Sequence, residues 1–192
     1  MHWGIHWGKG NGIPRQFIGV AVVLALGALS AGCFQPLYGN QPIGGDSVRD
    51  KLASVEVAQI PAGNGKPESR LAVELRNNLM SDFNNGAPPS APTYRLQVKG
   101  IGSGIQTVIV DVASGRANTQ VSAVNVTFTL TEIATGKVLL NSSAFGRASF
   151  DIPGSAQRFA QQRAWLNAED RAVAMISDSI RNRLASFFVA GT

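Results

Sequence analysis

Apolar and polar residues alternate along four stretches of this chain, which is the pattern of strands with one buried face. The alternation is clear in residues 54–60, 93–101 and 124–131, and it is weaker in the serine-rich residues 138–150. Residues 134–137 read Ala-Thr-Gly-Lys, a turn sequence that predicts a hairpin between the last two stretches.

A spacing of four between apolar residues predicts two helices. The first carries Leu71, Leu75, Leu79 and Phe83 and follows a turn that ends in Pro67. The stripe of the second, longer helix consists of Ala160, Ala164, Ala168, Ala172, Ile176, Ile180 and Leu184. A long amphipathic helix can bind a lipid surface or a partner, or it can pack on a core. The arginines of this helix are not gathered on one face, which favours core packing.

The glycines Gly100, Gly102 and Gly104 leave two local structures open. A phosphate-binding loop needs a helix directly after its glycines. Residues 105–110 instead have strand-forming side chains, which favours a bulge or a bend and allows a short additional strand there. A Ser-Gly turn follows within residues 111–116.

These elements give the order β-α-β-β-β-α. Hairpin strands pair antiparallel, and each amphipathic helix needs an apolar surface to cover. The predicted fold class is therefore α+β: a two-layer sandwich in which a mainly antiparallel four-stranded sheet packs against two helices. The opposite face of the sheet is expected to be polar and accessible.

Before these elements, the chain begins with the three parts of a secretory signal. Lys9 and Arg15 precede an apolar run at residues 17–29, and Ser-Ala-Gly follows. The run is shorter than the roughly 20 residues of a spanning helix. Residues 1–32 are therefore predicted to be a signal peptide, the alternative being a core helix of a cytoplasmic domain.

Composition narrows the chemistry that the remaining residues 33–192 can perform. The chain has two histidines, His2 and His6, and both lie in the predicted signal peptide, while Cys33 is its only cysteine. Triads that need histidine, disulfides and the usual zinc or copper ligands are thus excluded, and neither a metal nor a cofactor is expected. The acidic residues are scattered, and the one adjacent pair near the end, Glu169 and Asp170, is predicted to be solvated surface.

The net charge gives a weaker indication of the partner. Removal of Lys9 and Arg15 lowers the net charge from +5 to +3, which suits an anionic partner but is also common in unspecialised domains. No basic run with interleaved aromatic residues is present, so nucleic acid is not an expected partner.

The segment Leu-Ser-Ala-Gly-Cys at residues 29–33 resembles the bacterial lipobox. The resemblance implies that Cys33 is the lipid attachment point, and several acyl chains together hold a domain on a bilayer stably. Residues 33–50, rich in glycine and proline, are then a lipidated tether, and residues 51–192 are the α+β domain. Phe34 stands where sorting to the inner membrane uses aspartate, so the resemblance implies the periplasmic side of the outer membrane.

Several further features resemble the family of lipopolysaccharide-assembly lipoproteins LptE, in its alphaproteobacterial form. They are Phe-Gln-Pro-Leu-Tyr-Gly at 34–39, Leu-Arg-Asn-Asn-Leu at 75–79, Tyr-Arg-Leu-Gln-Val at 94–98 and the element order. The resemblance implies a protein without enzymatic activity. Such a protein plugs the outer-membrane barrel LptD, assists its assembly and contacts lipopolysaccharide.

Arginine and lysine are the natural partners of the lipid A phosphates. Candidate lipopolysaccharide contacts are Arg95 and Lys99 on the basic face of one strand, and Arg116 and Lys137 at turns. Two other functions stay open: an auxiliary lipoprotein of an ABC-type lipid transport system, and a carboxylate-based hydrolase of envelope polymers.

Overall fold

The computed structural model describes residues 47–62, 65–111, 116–152 and 157–190. The predicted signal peptide (1–32), Cys33 and the tether up to residue 46 lie outside the described residues. The elements in chain order are α1 (Val48–Ala53), β1 (Val55–Val57), α2 (Pro67–Asn84), β2 (Tyr94–Asp111), β3 (Arg116–Glu132), β4 (Val138–Asp151) and α3 (Arg158–Ala190).

The four strands form one sheet in the order β1-β2-β3-β4. β1 runs parallel to β2, as expected when a helix connects two neighbouring strands. β2, β3 and β4 pair antiparallel as a meander. The predicted α+β class, with a mainly antiparallel four-stranded sheet and two long helices, is confirmed.

The helices α2 and α3 cover one face of the sheet, and their spaced apolar residues form the core with the inward residues of the strands. Leu71, Leu75 and Leu79 of α2 are fully buried. The residues of α3 that are fully buried include Ala168, Ala172, Ile176, Ile180 and Leu184. Core packing is thus confirmed for this part of α3, whereas Phe159 in its first turn is 86% exposed.

The close approach of α3 to β4 depends on small residues at both surfaces. Gly146 of β4 lies directly beneath the backbone of Ala172 in α3. Ala144 and Ala148 flank this position on the same face of the strand, and both are buried. The alanine stripe of α3 therefore lets the helix backbone lie almost on the sheet.

The glycine-rich segment lies inside one long strand. A register shift falls between Val98, opposite Phe128, and Gly100, opposite Thr127, so that Lys99 is the extra residue of a bulge. The strand then continues to Asp111. The predicted bulge is confirmed, and residues 105–110 belong to β2 instead of forming a separate strand.

The apolar pattern does not predict the short helix α1. Its first turn is fixed by a capping box, in which the backbone N–H of Asp50 donates to Ser47 Oγ at 3.1 Å and the N–H of Ser47 donates to Asp50 Oδ2 at 3.3 Å. The helix buries Leu52. A helix of six residues is too short to show a clear period of apolar residues.

Candidate functional site

The sheet face opposite the helices is uncovered within the described residues. Alternate residues of β2, β3 and β4 point to this side, and the residues that define this open face are Arg95, Gln97, Asn125, Thr127, Asn141, Ser143, Phe145, Arg147 and Ser149, all of them exposed. Most of these side chains are hydrogen-bonding and uncharged. The face is thus polar and accessible, as the strand alternation predicts.

The four candidate cations are spread over the sheet. Arg95 lies near the start of β2, and Lys99 is exposed at the bulge four residues further along the strand. Lys137 is exposed in the turn between β3 and β4, which lies at the same end of the sheet as Arg95. Arg116 pairs with Asp111 at the opposite end of the β2–β3 hairpin.

The length of β3 separates Arg116 from Lys137. At about 3.3 Å per residue, the strand from Arg116 to Glu132 spans roughly 50 Å. The structure therefore brings Arg95, Lys99 and Lys137 to one half of the sheet and leaves Arg116 at the other end. A single phosphate group cannot contact all four residues.

Arg95 is already engaged with an anion. Its Nε donates to Glu56 Oε2 of β1 at 3.0 Å, and the two side chains are 46% and 37% exposed. This ion pair joins the parallel strands β1 and β2 across the sheet. Because water screens it, it contributes little to stability and leaves the outer part of the guanidinium accessible to a ligand.

The substitution Arg95→Ala is expected to lower the free energy of unfolding by less than about 1 kcal/mol, because the ion pair is exposed. Chemical denaturation measures this value. A larger loss would show that Arg95 supports the β1–β2 pairing, and any loss of lipopolysaccharide binding by the variant would then not report a direct contact.

The strand pattern alone did not identify the aromatic residue on the open face. Phe145 is 71% exposed among polar neighbours, and the Arg147 guanidinium lies 5.8 Å from the centre of its ring. Phe145 lies opposite Asn125, which lies opposite Gly102. The sequence feature that could have identified Phe145 is an aromatic residue at an outward position of a serine-rich strand.

The prediction for the acidic pair of α3 is wrong for Glu169, which is 2% exposed. Arg70 of α2 donates one nitrogen to Glu169 Oε2 at 2.6 Å and another to Asp170 Oδ1. Burial lowers the pKa of Arg70, but the hydrogen bonds and charges of Asp170 and Glu169 outweigh burial, so this pKa lies above its ordinary value. Two successive residues of a helix can thus both contact one guanidinium when the guanidinium lies between their side chains.

Two features are absent from the described part of the chain. No group of three or more histidine, cysteine or acidic side chains lies close enough together there to hold a metal ion. Among the same residues, no helix has the length and apolar character needed to cross a membrane.

No family model matches the sequence, and no curated protein matches it either. Solved structures do match. A proposed lipoprotein from Caulobacter crescentus has a TM-score of 0.52 at 23% identity, over 76% of this chain and 97% of that one. Lipoprotein B from Nitrosomonas europaea, described as uncharacterized, has a TM-score of 0.51 at 14% identity, over 80% and 94%.

A third structure, rare lipoprotein B from Shewanella oneidensis, has a TM-score of 0.50 at 16% identity, over 71% of this chain and 95% of that one. At these identities the likeness shows a shared fold. The described domain therefore has a fold that occurs in small bacterial lipoproteins.

Proposed function

We propose that this chain is an outer-membrane lipoprotein of the LptE type, anchored through Cys33 on the periplasmic side. In this proposal it plugs a barrel of the LptD type, assists the assembly of that barrel and takes part in the insertion of lipopolysaccharide. It acts by contact and not as an enzyme. The lipobox and the fold shared with bacterial lipoproteins support the proposal.

The open face is the observation that carries the proposal. The lumen of an outer-membrane barrel is polar, and a plug must offer hydrogen-bonding partners to it, because a polar group that is buried without a partner is costly. Gln97, Asn125, Thr127 and Asn141 supply both donors and acceptors on a face that no described helix covers.

Lipopolysaccharide contact is assigned to the cations. Phosphates favour arginine and lysine, and Arg95, Lys99 and Lys137 share one half of the sheet. In this proposal these three residues bind one phosphate-bearing region of lipopolysaccharide. Arg116 serves a different part of the same long molecule.

The test is purification of the full chain from the membrane of its native host. A very large β-barrel is expected to copurify, and depletion of the chain is expected to reduce both barrel level and surface lipopolysaccharide. An inner-membrane permease as the copurifying partner, with normal barrel levels, would favour the ABC-type transport function instead.

A variant and its matched control test whether the open face contacts the barrel. Because an added charge would be buried against the barrel wall, Thr127→Glu on the open face is expected to lower barrel recovery by about tenfold or more. Val73→Glu is the control, since Val73 is 61% exposed on α2, away from the open face. Equal recovery with both variants would contradict the assignment of the open face to the barrel.

A further inference from the structure

The outer edge of β4 has no partner strand within the described residues. The hairpin before β4 shows which backbone groups point to this edge. The N–H of Glu132 donates to Lys137 O, while the N–H of Ile133 donates to Thr93 O before β2. The backbone N–H and C=O groups of the even-numbered residues of β3 thus point toward β4. Because Val126 pairs with Ala144, the odd-numbered residues of β4 direct their backbone groups away from the sheet.

A contact from α3 agrees with this direction. Arg171 Nη2 donates to the carbonyl of Ser149, at 2.7 Å, and Arg183 donates to Ser142 Oγ. The helix therefore runs alongside the edge, and these two arginines contact β4 at Ser149 and Ser142. Between these attachments, Ser143, Phe145 and Arg147 present their N–H and C=O groups outward.

We call the β4 edge and the surfaces on its two sides the groove, and each of these two surfaces a wall. One wall is the open-face side, where Phe145 is 71% exposed. The other is a shallow depression on α3 lined by Met175, Asp178, Ser179, Asn182, Arg183 and Ser186. Met175 in this wall is 49% exposed, so each side of the edge carries a large apolar side chain in contact with water.

The charges around the groove are unbalanced. Among the described residues, Arg147, Arg171 and Arg183 form no ion pair with a carboxylate, whereas Arg70 and Arg95 do. Asp178 is the acidic residue of the α3 wall, and Arg181 contacts it at 3.0 Å. Within the described residues, the groove thus has more positive than negative side chains, together with backbone groups that pair with no other strand.

We propose that the β4 edge binds an extended, acidic polypeptide segment of a partner protein by strand addition. Main-chain hydrogen bonds to Ser143, Phe145 and Arg147 would continue the sheet. Alternate residues of the segment would lie beside Phe145 and Arg147 on the open-face side, where carboxylates meet the guanidinium. The intervening residues would pack against Met175, where apolar side chains fit best.

In the part of the chain that the structure describes, the opposite edge of the sheet, formed by β1, offers no comparable site. β1 has three residues, Val55–Val57. A strand of this length supplies few outward groups. The proposal for β4 does not depend on the identity of the barrel partner proposed above.

The test places a photoreactive phenylalanine analogue at position 145 of the full chain in its native host. Crosslinking is expected to a segment of another protein in which carboxylates recur at every second position, identified by mass spectrometry. Ser143→Pro is expected to lower the yield about tenfold or more, because proline on an edge strand removes an outward N–H but no bond within the sheet.

Two controls separate lost binding from lost folding. Arg147→Glu keeps the backbone and reverses one exposed charge, so it is expected to reduce crosslinking, whereas Lys66→Glu at the start of α2 leaves it unchanged. Crosslinks to a second copy of this chain, to lipid alone or to a segment without carboxylates would each overturn the proposal, as would no crosslink. A crosslink that persists at full yield in Ser143→Pro would also overturn it.

Discussion

Gly146→Ala is expected to lower the free energy of unfolding by about 3 kcal/mol, at the upper end of the usual range for overpacking a core. A Cβ atom at this position would lie 2.0 Å from the carbonyl oxygen of Ala172 and 2.7 Å from its carbonyl carbon. These are backbone atoms of a long helix, so the contact is relieved only if α3 moves away from β4. Chemical denaturation of wild type and variant measures the difference.

Gly104→Ala is the matched control. Gly104 also lies in a strand of the same sheet, but nothing lies within 4 Å of the position that a Cβ would occupy there. Its substitution is expected to be neutral or slightly stabilising, because alanine restricts the unfolded chain. A loss for Gly146→Ala no greater than that for Gly104→Ala would contradict the close packing of α3 on β4.

Arg70→Met is expected to cost about 2 kcal/mol of stability, less than the loss on breaking a fully buried ion pair, because the Arg70 side chain is 40% exposed. The variant keeps most of the aliphatic stem but removes the only cation that contacts Glu169 among the described ion pairs. The Glu169 side chain is 3% exposed, so its carboxylate would be left without compensation. Urea denaturation gives the value.

Two further variants show whether the buried charge causes the loss. Asp170→Asn is expected to cost less than about 1 kcal/mol, because this partner of Arg70 is 47% exposed. Replacing Arg70 by Met and Glu169 by Gln together is expected to cost less than Arg70→Met alone. If the loss of stability in the double variant equalled the summed losses of Arg70→Met and Glu169→Gln measured separately, the ion pair would not be the cause.

The buried faces could be predicted from the sequence, because burial on one side imposes a period on the side chains. Leu96 and Val98 in β2 and Ile176 and Ile180 in α3 are all buried, as their spacing predicts. The bulge at the glycines also follows from local composition. These properties depend on residues close together in the chain, so one sequence is sufficient to infer them.

Contacts between distant elements could not be predicted in the same way. The burial of Glu169 depends on Arg70, which lies in another helix, and the need for glycine at position 146 depends on where α3 crosses β4. The candidate site shows the same limit. Exposure of Arg95 and Lys99 followed from alternation, but the pairing of Arg95 with Glu56 required the parallel contact between β1 and β2.

The parallel pairing of β1 with β2 has a consequence for how the chain matures. β2, β3 and β4 can pair one after another through the turns that connect them. Val55 can pair only when Tyr94 is present, and Tyr94 follows α2 in the chain. Closing so long a loop is slow compared with closing a hairpin. A chain that emerges from its amino end therefore leaves Val55 and Val57 unprotected until the second strand has followed. These two apolar residues are accessible to a chaperone in that interval.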